Sequence, residues 1–261
     1  MLTATLRFYA ELNDFLPPQK RQRPISVQFD VPPSVKDAIE ALGVPHPEID
    51  LILVNGQSVD FSYILRPDDF ISVYPVFESF DIGSLVKVRA EPLREIRFVL
   101  DVHLGQLARY LRMLGFDTRY RNDFEDDELA RISSEQHRIL LTRDRGLLKR
   151  SIVTHGYCLR ATQPRQQLAE VVARFNLAGQ AQPFRRCIRC NGLLESVDKA
   201  TVAPQLDEET RAAFDEFQRC RECGQVYWRG SHFQRMQQFI AQVVPEVRVY
   251  SSSKPILNHY R

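Results

Sequence analysis

Four of the five cysteines form two C-x-x-C pairs, Cys187 with Cys190 and Cys220 with Cys223, and 29 residues separate the pairs. Each pair can supply two thiolates to one tetrahedral Zn²⁺ ion, as in a zinc ribbon. A site closed by four thiolates leaves no coordination position for a substrate. The spacing therefore predicts one structural zinc ion and no chemistry at that metal.

A second group of residues that could do chemistry is acidic. Asp101 directly follows an apolar strand pattern, and Asp144 stands two residues after another. Asp126 and Asp127 lie between them, at the predicted start of a helix. Open parallel α/β sheets place their sites at the carboxyl ends of strands, and clustered carboxylates there favour Mg²⁺ or Mn²⁺. Such a site suits phosphodiester hydrolysis assisted by one or two metal ions.

The same acidic residues also have explanations that need no metal. Asp126, Asp127 and Asp144 each stand where a side chain could cap a helix, and Asp123 could be a solvated loop residue. Asp101 could be a cap too, although two acids after two strands, with an acidic cluster between them, exceed what capping requires. The pattern alone leaves the metal site and the capping interpretation open.

Basic residues accompany the acids along the chain, and a polyanion needs such a positive rim beside carboxylates. Two of these residues fall on the polar face of the helix after Asp101. His232 could contact the phosphate or simply cap the final helix. We expect nucleic-acid contacts from Arg109, Arg112, Arg143, Arg145, Lys149 and His232.

Charge is distributed unevenly. Residues 1–83 hold 6 Lys and Arg against 12 Asp and Glu, residues 84–182 hold 17 against 12, and residues 183–261 hold 12 against 9. The last two segments are net positive, which favours a polyanion such as nucleic acid as a partner. The acidic first segment is not expected to touch nucleic acid, although charge can also vary between domains without a functional reason.

The middle segment must position the acids. Its apolar strand patterns alternate with patterns of helical spacing, and the strands are predicted at residues 96–100, 116–120, 138–142 and 157–160. This alternation predicts an α/β fold in which helices flank a mainly parallel sheet.

The first segment has the element order of an α+β β-grasp domain. Strands are predicted at residues 3–9, 25–31, 51–54 and 70–76, with a helix at residues 33–43. Asn55-Gly56 predicts a type I′ turn after the third strand. The last segment has a helical pattern at 233–244 and ends in a polar tail.

At 261 residues the chain exceeds the roughly 100 to 200 residues of one domain. We divide it into a β-grasp domain (1–83), an α/β core (84–182) and a zinc ribbon with a C-terminal helix (183–261). No apolar run approaches the ~20 residues that cross a bilayer, and the first residues do not form a signal peptide. Because the cysteines also do not suggest a disulfide framework, we expect a cytoplasmic protein with no membrane partner.

The first segment resembles the ubiquitin-like sulfur carriers of molybdopterin and thiamine synthesis. The segments LILVNGQSV (51–59) and LRPDDFISVYP (65–75) produce the resemblance, which covers about 80 residues. Those carriers end in a free Gly-Gly that is adenylated and thiocarboxylated. Here residues 77–81 read FESFD and the chain continues, so we expect a docking or stabilising domain, or a simple accessory to the fold, rather than a carrier.

The rest of the chain resembles the mut-seven C-terminal ribonuclease domain family, which is similar to PIN-domain nucleases with an added zinc ribbon. The matching segments are FVLDVHLGQLARYLRMLGFDT (98–118), DDEL (126–129), ILLTRDRGLL (139–148) and YWRGSH (227–232). The resemblance implies a PIN-like fold and metal-dependent RNA cleavage. The implied catalytic acids and Mg²⁺ or Mn²⁺ ligands are Asp101, Asp127 and Asp144, with Asp126 beside them.

We therefore expect a ribonuclease that hydrolyses RNA phosphodiesters. The alternative is a non-catalytic RNA-binding adaptor, which would keep the acidic cluster for folding and recruit a protein partner through its β-grasp domain.

Overall fold

The computed structural model describes residues 2–75, 88 and 96–247. These residues form two compact units, one from the described residues of segments 1–108 and 117–164 and the other from those of segments 109–116 and 165–261. None of the helices in these ranges is long and apolar enough to span a bilayer. The strand end predicted at Val76, residues 77–81, the boundary after residue 83 and the polar tail lie outside the described residues. The division into three domains remains a prediction.

The N-terminal domain, residues 2–75, consists of a five-stranded sheet and one α-helix. Across the sheet the order is β2-β1-β5-β3-β4, with β1 and β5 parallel and the other neighbours antiparallel. This is the β-grasp order, so the predicted fold of the segment is confirmed. The elements are β1 (Leu2–Phe8), β2 (Ile25–Phe29), α1 (Val35–Ala41), β3 (Ile49–Val54), β4 (Gln57–Val59) and β5 (Phe70–Pro75).

Two local signals explain where these elements begin and turn. Ser34 caps α1, because its hydroxyl oxygen accepts a hydrogen bond from the amide of Asp37 at 3.1 Å. Asn55 and Gly56 have φ angles of 50° and 85°, the left-handed backbone that a type I′ turn requires between β3 and β4. The predicted hairpin is confirmed.

The middle segment forms a four-stranded sheet in which all neighbours are parallel, in the order β7-β6-β8-β9. All four residues of β8 are buried, as expected for a strand covered on both faces. The predicted parallel sheet with helices between its strands is confirmed. The elements are β6 (Arg97–Leu100), α2 (Gly105–Met113), β7 (Asp117–Arg119), α3 (Asp126–Glu135), β8 (Ile139–Thr142), α4 (Arg145–Leu148), β9 (Gly156–Cys158) and α5 (Pro164–Arg174).

One continuous cluster of buried apolar side chains serves both sheets of the first unit. It joins Leu6, Ile52 and Val73 of the N-terminal domain to Leu140 of β8 and Leu148 of α4. Since burial of apolar surface is the main driving force of folding, the two sheets stabilise each other. The N-terminal domain is therefore part of the same packed unit as the parallel sheet.

The C-terminal segment adds an antiparallel sheet of order β10-β11-β12 with its own buried cluster, which contains Val202, Leu206, Phe217 and Val226. Only the last helix was predictable from its spacing, because the strands are three or four residues long. The elements are β10 (Leu194–Val197), α6 (Lys199–Val202), α7 (Glu208–Ala213), β11 (Phe217–Cys220), β12 (Val226–Trp228) and α8 (Ser231–Val243).

Gly156, the first residue of β9, tests the shared packing of the first unit. A Cβ atom there would lie 2.6 Å from Leu148 Cδ2, so Gly156→Ala must displace the buried Leu148 side chain, and it would touch Pro47 Cβ of the N-terminal domain at 3.5 Å. We expect the free energy of unfolding to fall by roughly 1–3 kcal/mol, measured by urea denaturation. Gly179→Ala is the matched control, because no atom comes within 4 Å of its added Cβ. Equal stability of the two variants would contradict this packing.

Candidate active site and zinc centre

Asp101 and Asp144 are brought together by the parallel pairing of β6 with β8. Asp101 follows β6 directly, and its amide donates to the carbonyl of Leu141 at 3.1 Å, which extends the pairing by one residue. Thr142, the last residue of β8, donates its hydroxyl to Asp101 Oδ2 at 2.6 Å. The same Thr142 oxygen accepts a hydrogen bond from the amide of Asp144 at 2.9 Å. We call Asp101, Thr142 and Asp144 the acidic site.

The acidic site lies where the path of the chain across the parallel sheet reverses. From β6 the chain goes to β7 on one side, and from β7 it returns past β6 to β8 on the other side. Open α/β sheets bind ligands outside the carboxyl ends of their strands, in the crevice at such a reversal. The topology therefore puts both carboxylates where a ligand site is expected.

The two carboxylates differ in their surroundings. Asp101 is only 7% exposed and makes no capping bond to the short 3₁₀-helix Val102–Leu104 that follows it. Asp144 is exposed and caps α4, because its Oδ1 accepts a hydrogen bond from the amide of Gly146 at 2.7 Å. Capping therefore explains Asp144 but not Asp101, whose buried carboxylate is oriented by Thr142.

Asp126 and Asp127 lie in the first turn of α3, where negative charge complements the helix dipole. Glu125 occupies the cap position, and its side chain makes no capping bond. The prediction that Asp126 or Asp127 caps this helix is therefore wrong; in a run of four acidic residues the spacing does not identify the cap. Arg150 forms ion pairs with both residues, reaching Asp126 Oδ2 at 3.8 Å and bonding Asp127 Oδ1 more closely.

The donor types of the acidic site fit a hard divalent cation, because Asp101 and Asp144 offer the carboxylate oxygens that Mg²⁺ and Mn²⁺ prefer. In the described ranges, the four cysteines form the one group of three or more His, Cys, Asp or Glu residues that could hold a metal ion. Asp127, the third predicted ligand, is instead bound by Arg150. A cation at Asp127 would compete with Arg150 for this carboxylate.

The residues predicted to contact RNA have different surroundings. Arg145 donates to the carbonyl of Phe15 at 3.2 Å, and Lys149 donates to the carbonyl of Glu40 at 2.6 Å. Both residues are therefore bound to the N-terminal domain. Three others are exposed, namely Arg109, Arg143 and His232.

Arg112 is buried, contrary to the prediction that it lies on an exposed polar face. It is 4% exposed, and its guanidinium donates to the carbonyls of Arg189 at 2.9 Å and Ile188 at 3.4 Å. Helical spacing identifies a polar face but not the part of it that another segment covers. Arg112 is corrected from an RNA contact to a support of the first C-x-x-C segment.

The four cysteine sulfurs converge on one site. All four Sγ atoms lie within 4.8 Å of one another, with 3.7 Å between Cys187 and Cys223 and 3.3 Å between Cys190 and Cys220. Four thiolates bound to one Zn²⁺ ion at about 2.3 Å would be about 3.8 Å apart. This cluster could hold a zinc ion, and its four ligands would leave no open coordination position.

Each C-x-x-C pair forms the same kind of turn. The amide of Asn191 donates to the carbonyl of Cys187 at 2.9 Å, and the amide of Gly224 donates to the carbonyl of Cys220 at 3.1 Å. Asn191 and Gly224 have φ angles of 81° and 72°. Asn and Gly tolerate this left-handed backbone best, so the residue that follows each pair is itself a sequence signal for the turn.

Tyr227 is a neighbour of the cysteines that their spacing does not reveal. Its hydroxyl lies 3.0 Å from Cys187 Sγ. Burial opposes ionisation of the Cys187 thiol, but hydrogen bonds from Tyr227 and from the amides of Cys190 and Arg189 outweigh it and lower its pKa to about 7. Burial and the neighbouring thiols raise the pKa of Cys190 to about 12. Cys187 is therefore predisposed to be a thiolate near neutral pH.

Thr142 is the member of the acidic site that was not predicted. Its signal in the sequence is a hydroxyl at the last position of an apolar strand, two residues before an acid. Such a residue also fits ordinary strand propensity, so its bridging role becomes evident only when β8 lies beside β6.

Substitution of Thr142 tests the bridging hydroxyl. Thr142→Val removes both the donor to Asp101 and the acceptor of the Asp144 amide. We expect the free energy of unfolding to fall by roughly 1–3 kcal/mol, measured by chemical denaturation. Thr142→Ser retains the hydroxyl and should keep most of the stability. A Ser variant as unstable as the Val variant would rule out the bridging role.

Tyr227→Phe should weaken zinc binding, because it removes the hydroxyl bonded to Cys187. Without that bond the pKa of Cys187 should rise from about 7, so zinc must displace a proton more often near neutral pH. We expect zinc affinity to fall roughly tenfold near pH 7, measured by competition with a chromophoric chelator. The loss should shrink at about pH 9, where the thiol ionises in both proteins.

Tyr110→Phe provides the control for the zinc measurement. Tyr110 lies in the same unit, where its ring contacts Phe239 with 4.3 Å between ring centroids. Its hydroxyl has no described contact with a cysteine. An equal loss of zinc affinity in both variants would show that the Tyr227 hydroxyl has no specific effect.

The chain matches two family models. The model described as the Mut7-C RNAse domain matches residues 96–240, and the model described as Mut7-C ubiquitin matches residues 1–81. The human exonuclease mut-7 homolog is 37% identical over 106 residues, which are 38% of this chain and 12% of the human protein. This chain thus spans a small part of the length of that curated relative.

Two crystal structures of small archaeal modifier protein 1 from Haloferax volcanii are similar to part of the chain. They are 18% and 17% identical, cover 29% and 30% of this chain and 98% and 99% of their own, and have a TM-score of 0.24 each. The ribonuclease-domain model extends over more than half of the 261 residues. The chain therefore belongs to the Mut7-C RNAse domain family.

Proposed function

We propose that this protein is a ribonuclease that hydrolyses RNA phosphodiester bonds at the acidic site with Mg²⁺ or Mn²⁺. The observation that supports this best is the Thr142 hydroxyl, which links the Asp101 carboxylate to the backbone amide of Asp144 at the reversal of the parallel sheet. Membership of a ribonuclease-domain family supports the same chemistry. RNA as the substrate is also consistent with the net positive charge of residues 84–261.

Each acid has a proposed role. Asp101 and Asp144 hold one or two cations, Asp127 completes the ligand set after leaving Arg150, and Asp126 lies beside it. A bound cation of this kind supplies Lewis acidity, which activates water and stabilises the charge that develops on the phosphate. Thr142 keeps the buried Asp101 carboxylate in one orientation, so that the acid does not have to reorganise when it binds the cation.

The proposed phosphate contacts are the exposed cations. Arg143 directly precedes Asp144 and is exposed, which makes it the strongest candidate. Arg109 and His232 remain predicted RNA contacts. Arg145 and Lys149 add positive charge near Asp144, but their described hydrogen bonds go to the N-terminal domain.

A structural zinc ion and a cytoplasmic location accompany the proposed activity. One zinc ion at the four cysteines would stabilise the C-terminal segment without taking part in hydrolysis. None of the five cysteines forms a disulfide, which suits the reducing cytoplasm. We retain the three domains at 1–83, 84–182 and 183–261 as part of this proposal.

A ribonuclease of this kind must cut RNA only in the presence of a divalent cation. The full chain should cleave end-labelled single-stranded or structured RNA in Mn²⁺ or Mg²⁺ and not in EDTA. Asp101→Asn and Asp144→Asn should each lower the cleavage rate by roughly 100-fold, because each removes a charged metal ligand. The ladder of labelled products would distinguish cutting from an end from cutting within the chain.

Asp123→Asn is the matched control for cleavage. Asp123 precedes α3, is exposed and pairs with Arg121 at 2.8 Å, so its loss should leave the rate unchanged. If no cation supports cleavage while RNA is still bound in a salt-dependent manner, the ribonuclease proposal fails. The adaptor that recruits a protein partner through its N-terminal domain would then be favoured.

A further inference from the structure

The segment after Asp144 is bound by the N-terminal domain at three points. Arg145 donates to the carbonyl of Phe15 at 3.2 Å, and its guanidinium lies 5.1 Å from the centroid of the Phe15 ring. Lys149 donates to the carbonyl of Glu40 at 2.6 Å. The carbonyl of Val153 lies 2.7 Å from His46 Nε2. The contacts thus begin at the residue next to Asp144 and continue to the end of the turn after α4.

His46 and Glu40 form the centre of this contact. His46 is 5% exposed, and its Nδ1 lies 2.7 Å from Glu40 Oε1 while its Nε2 faces the Val153 carbonyl. Both ring nitrogens therefore lie within hydrogen-bond distance of an oxygen acceptor, one on α1 and one in the segment after α4. Phe61 packs edge-on against the ring at 5.6 Å. Removal of His46 would leave a carboxylate and a carbonyl without their donors in a largely dry environment.

A separate contact fixes the neighbouring strand β9. Glu48 is fully buried, and its Oε1 accepts hydrogen bonds from the amide of Cys158 at 2.5 Å and from Arg160 Nη1 at 3.3 Å. Arg160 also lies 4.7 Å from the ring centroids of Phe15 and Tyr157. The N-terminal domain therefore binds the parallel sheet through charged groups as well as through the shared apolar cluster.

Helix α4 needs such support. It has four residues, Arg145–Leu148, and so short a helix has almost no stability of its own in water. Its position must come from buried Leu147 and Leu148 and from the contacts to the N-terminal domain. Asp144 caps this helix, so the direction of its carboxylate follows the direction of α4.

We infer that the N-terminal domain is a positioning element of the acidic site. His46, with Glu40, holds the segment from Arg145 to Val153 so that Asp144 stays beside Thr142 and Asp101. This inference rests on the proposed function for its catalytic meaning. The N-terminal domain would then do more than dock a partner. His46 would orient Asp144 through α4 without touching the reacting atoms.

The test compares His46→Ala with Asp69→Asn in the full, zinc-loaded chain. Asp69 is 4% exposed and bonds Asn55, Tyr63 and the amide of Arg66, all within the N-terminal domain. Its substitution perturbs that domain without touching the segment after Asp144. Circular dichroism and urea denaturation would establish that both variants are folded.

The first readout is binding of Mn²⁺ alone, followed by electron paramagnetic resonance of the free ion. His46→Ala should weaken Mn²⁺ binding by roughly tenfold, because residues that orient metal ligands contribute about this much to affinity. Asp69→Asn should leave Mn²⁺ binding unchanged. Lys149→Met should weaken it as well. If Lys149 served only as an RNA contact, its loss would raise the KM for RNA and leave Mn²⁺ binding unchanged.

The second readout does not depend on the proposed function. Amide hydrogen exchange at Gly146 and Leu148 should accelerate by roughly tenfold in His46→Ala and stay unchanged in Asp69→Asn. Unchanged exchange in a folded His46→Ala protein, or equal acceleration in both variants, would overturn the inference. If wild type and Asp144→Asn bind Mn²⁺ equally, the proposed function fails, and the exchange rates alone decide whether the N-terminal domain positions Asp144.

Discussion

The register between β6 and β8 is the constraint on which the acidic site depends. In this register Phe98 pairs with Ile139 and Leu100 pairs with Leu141. The two strands lie about forty residues apart in the chain. A shift of one residue would turn the Thr142 hydroxyl to the other face of the sheet. The Asp101 carboxylate would then be buried without its donor. Correct strand pairing and a correctly oriented acid are thus the same structural requirement. The apolar side chains that set the register also set the orientation of the Asp101 carboxylate.

The parts of the structure that are determined locally could be predicted from the sequence. Asn55-Gly56 specifies its turn by backbone preference alone. The C-x-x-C spacing specifies a cysteine cluster, because two thiolates in one turn already point to one side. Asp101 after an apolar strand, followed by a helical pattern, was sufficient to place an acid at the carboxyl end of the sheet. These signals need no knowledge of distant residues, which is why both the order of elements and two of the four proposed catalytic acids could be located.

What could not be predicted depends on contacts between distant parts of the chain. Lys149 and Arg145 have the sequence character of phosphate ligands, yet each binds a carbonyl more than a hundred residues away. Arg112 looks like a surface residue until the first C-x-x-C segment covers it. Asp127, a predicted metal ligand, pairs with Arg150, and its spacing in the chain does not reveal that ion pair. A cation on a helix face is compatible with solvent, RNA or a carbonyl, and only the tertiary fold decides among them.

The two candidate metal centres offer ligands of opposite chemical character. Thiolates are soft ligands that favour Zn²⁺, whereas the carboxylates and hydroxyl of the acidic site are hard oxygen groups that favour Mg²⁺ or Mn²⁺. The cysteines belong to one compact unit and the acidic site to the other. Ligand type alone thus favours a different ion at each centre, without any need for a difference in ion concentration.

The contact between Glu48 and Cys158 has a further consequence, for solubility. Strand β9 is the last strand of its sheet, and an open strand edge offers unpaired amides and carbonyls to any other extended chain. The Glu48 carboxylate accepts the hydrogen bond of the Cys158 amide on that edge. A foreign strand therefore finds this amide already bonded. A buried negative charge at this position also opposes the approach of another backbone carbonyl. The N-terminal domain therefore covers one hydrogen-bonding group of that open edge, which disfavours strand addition there whatever chemistry the acids perform.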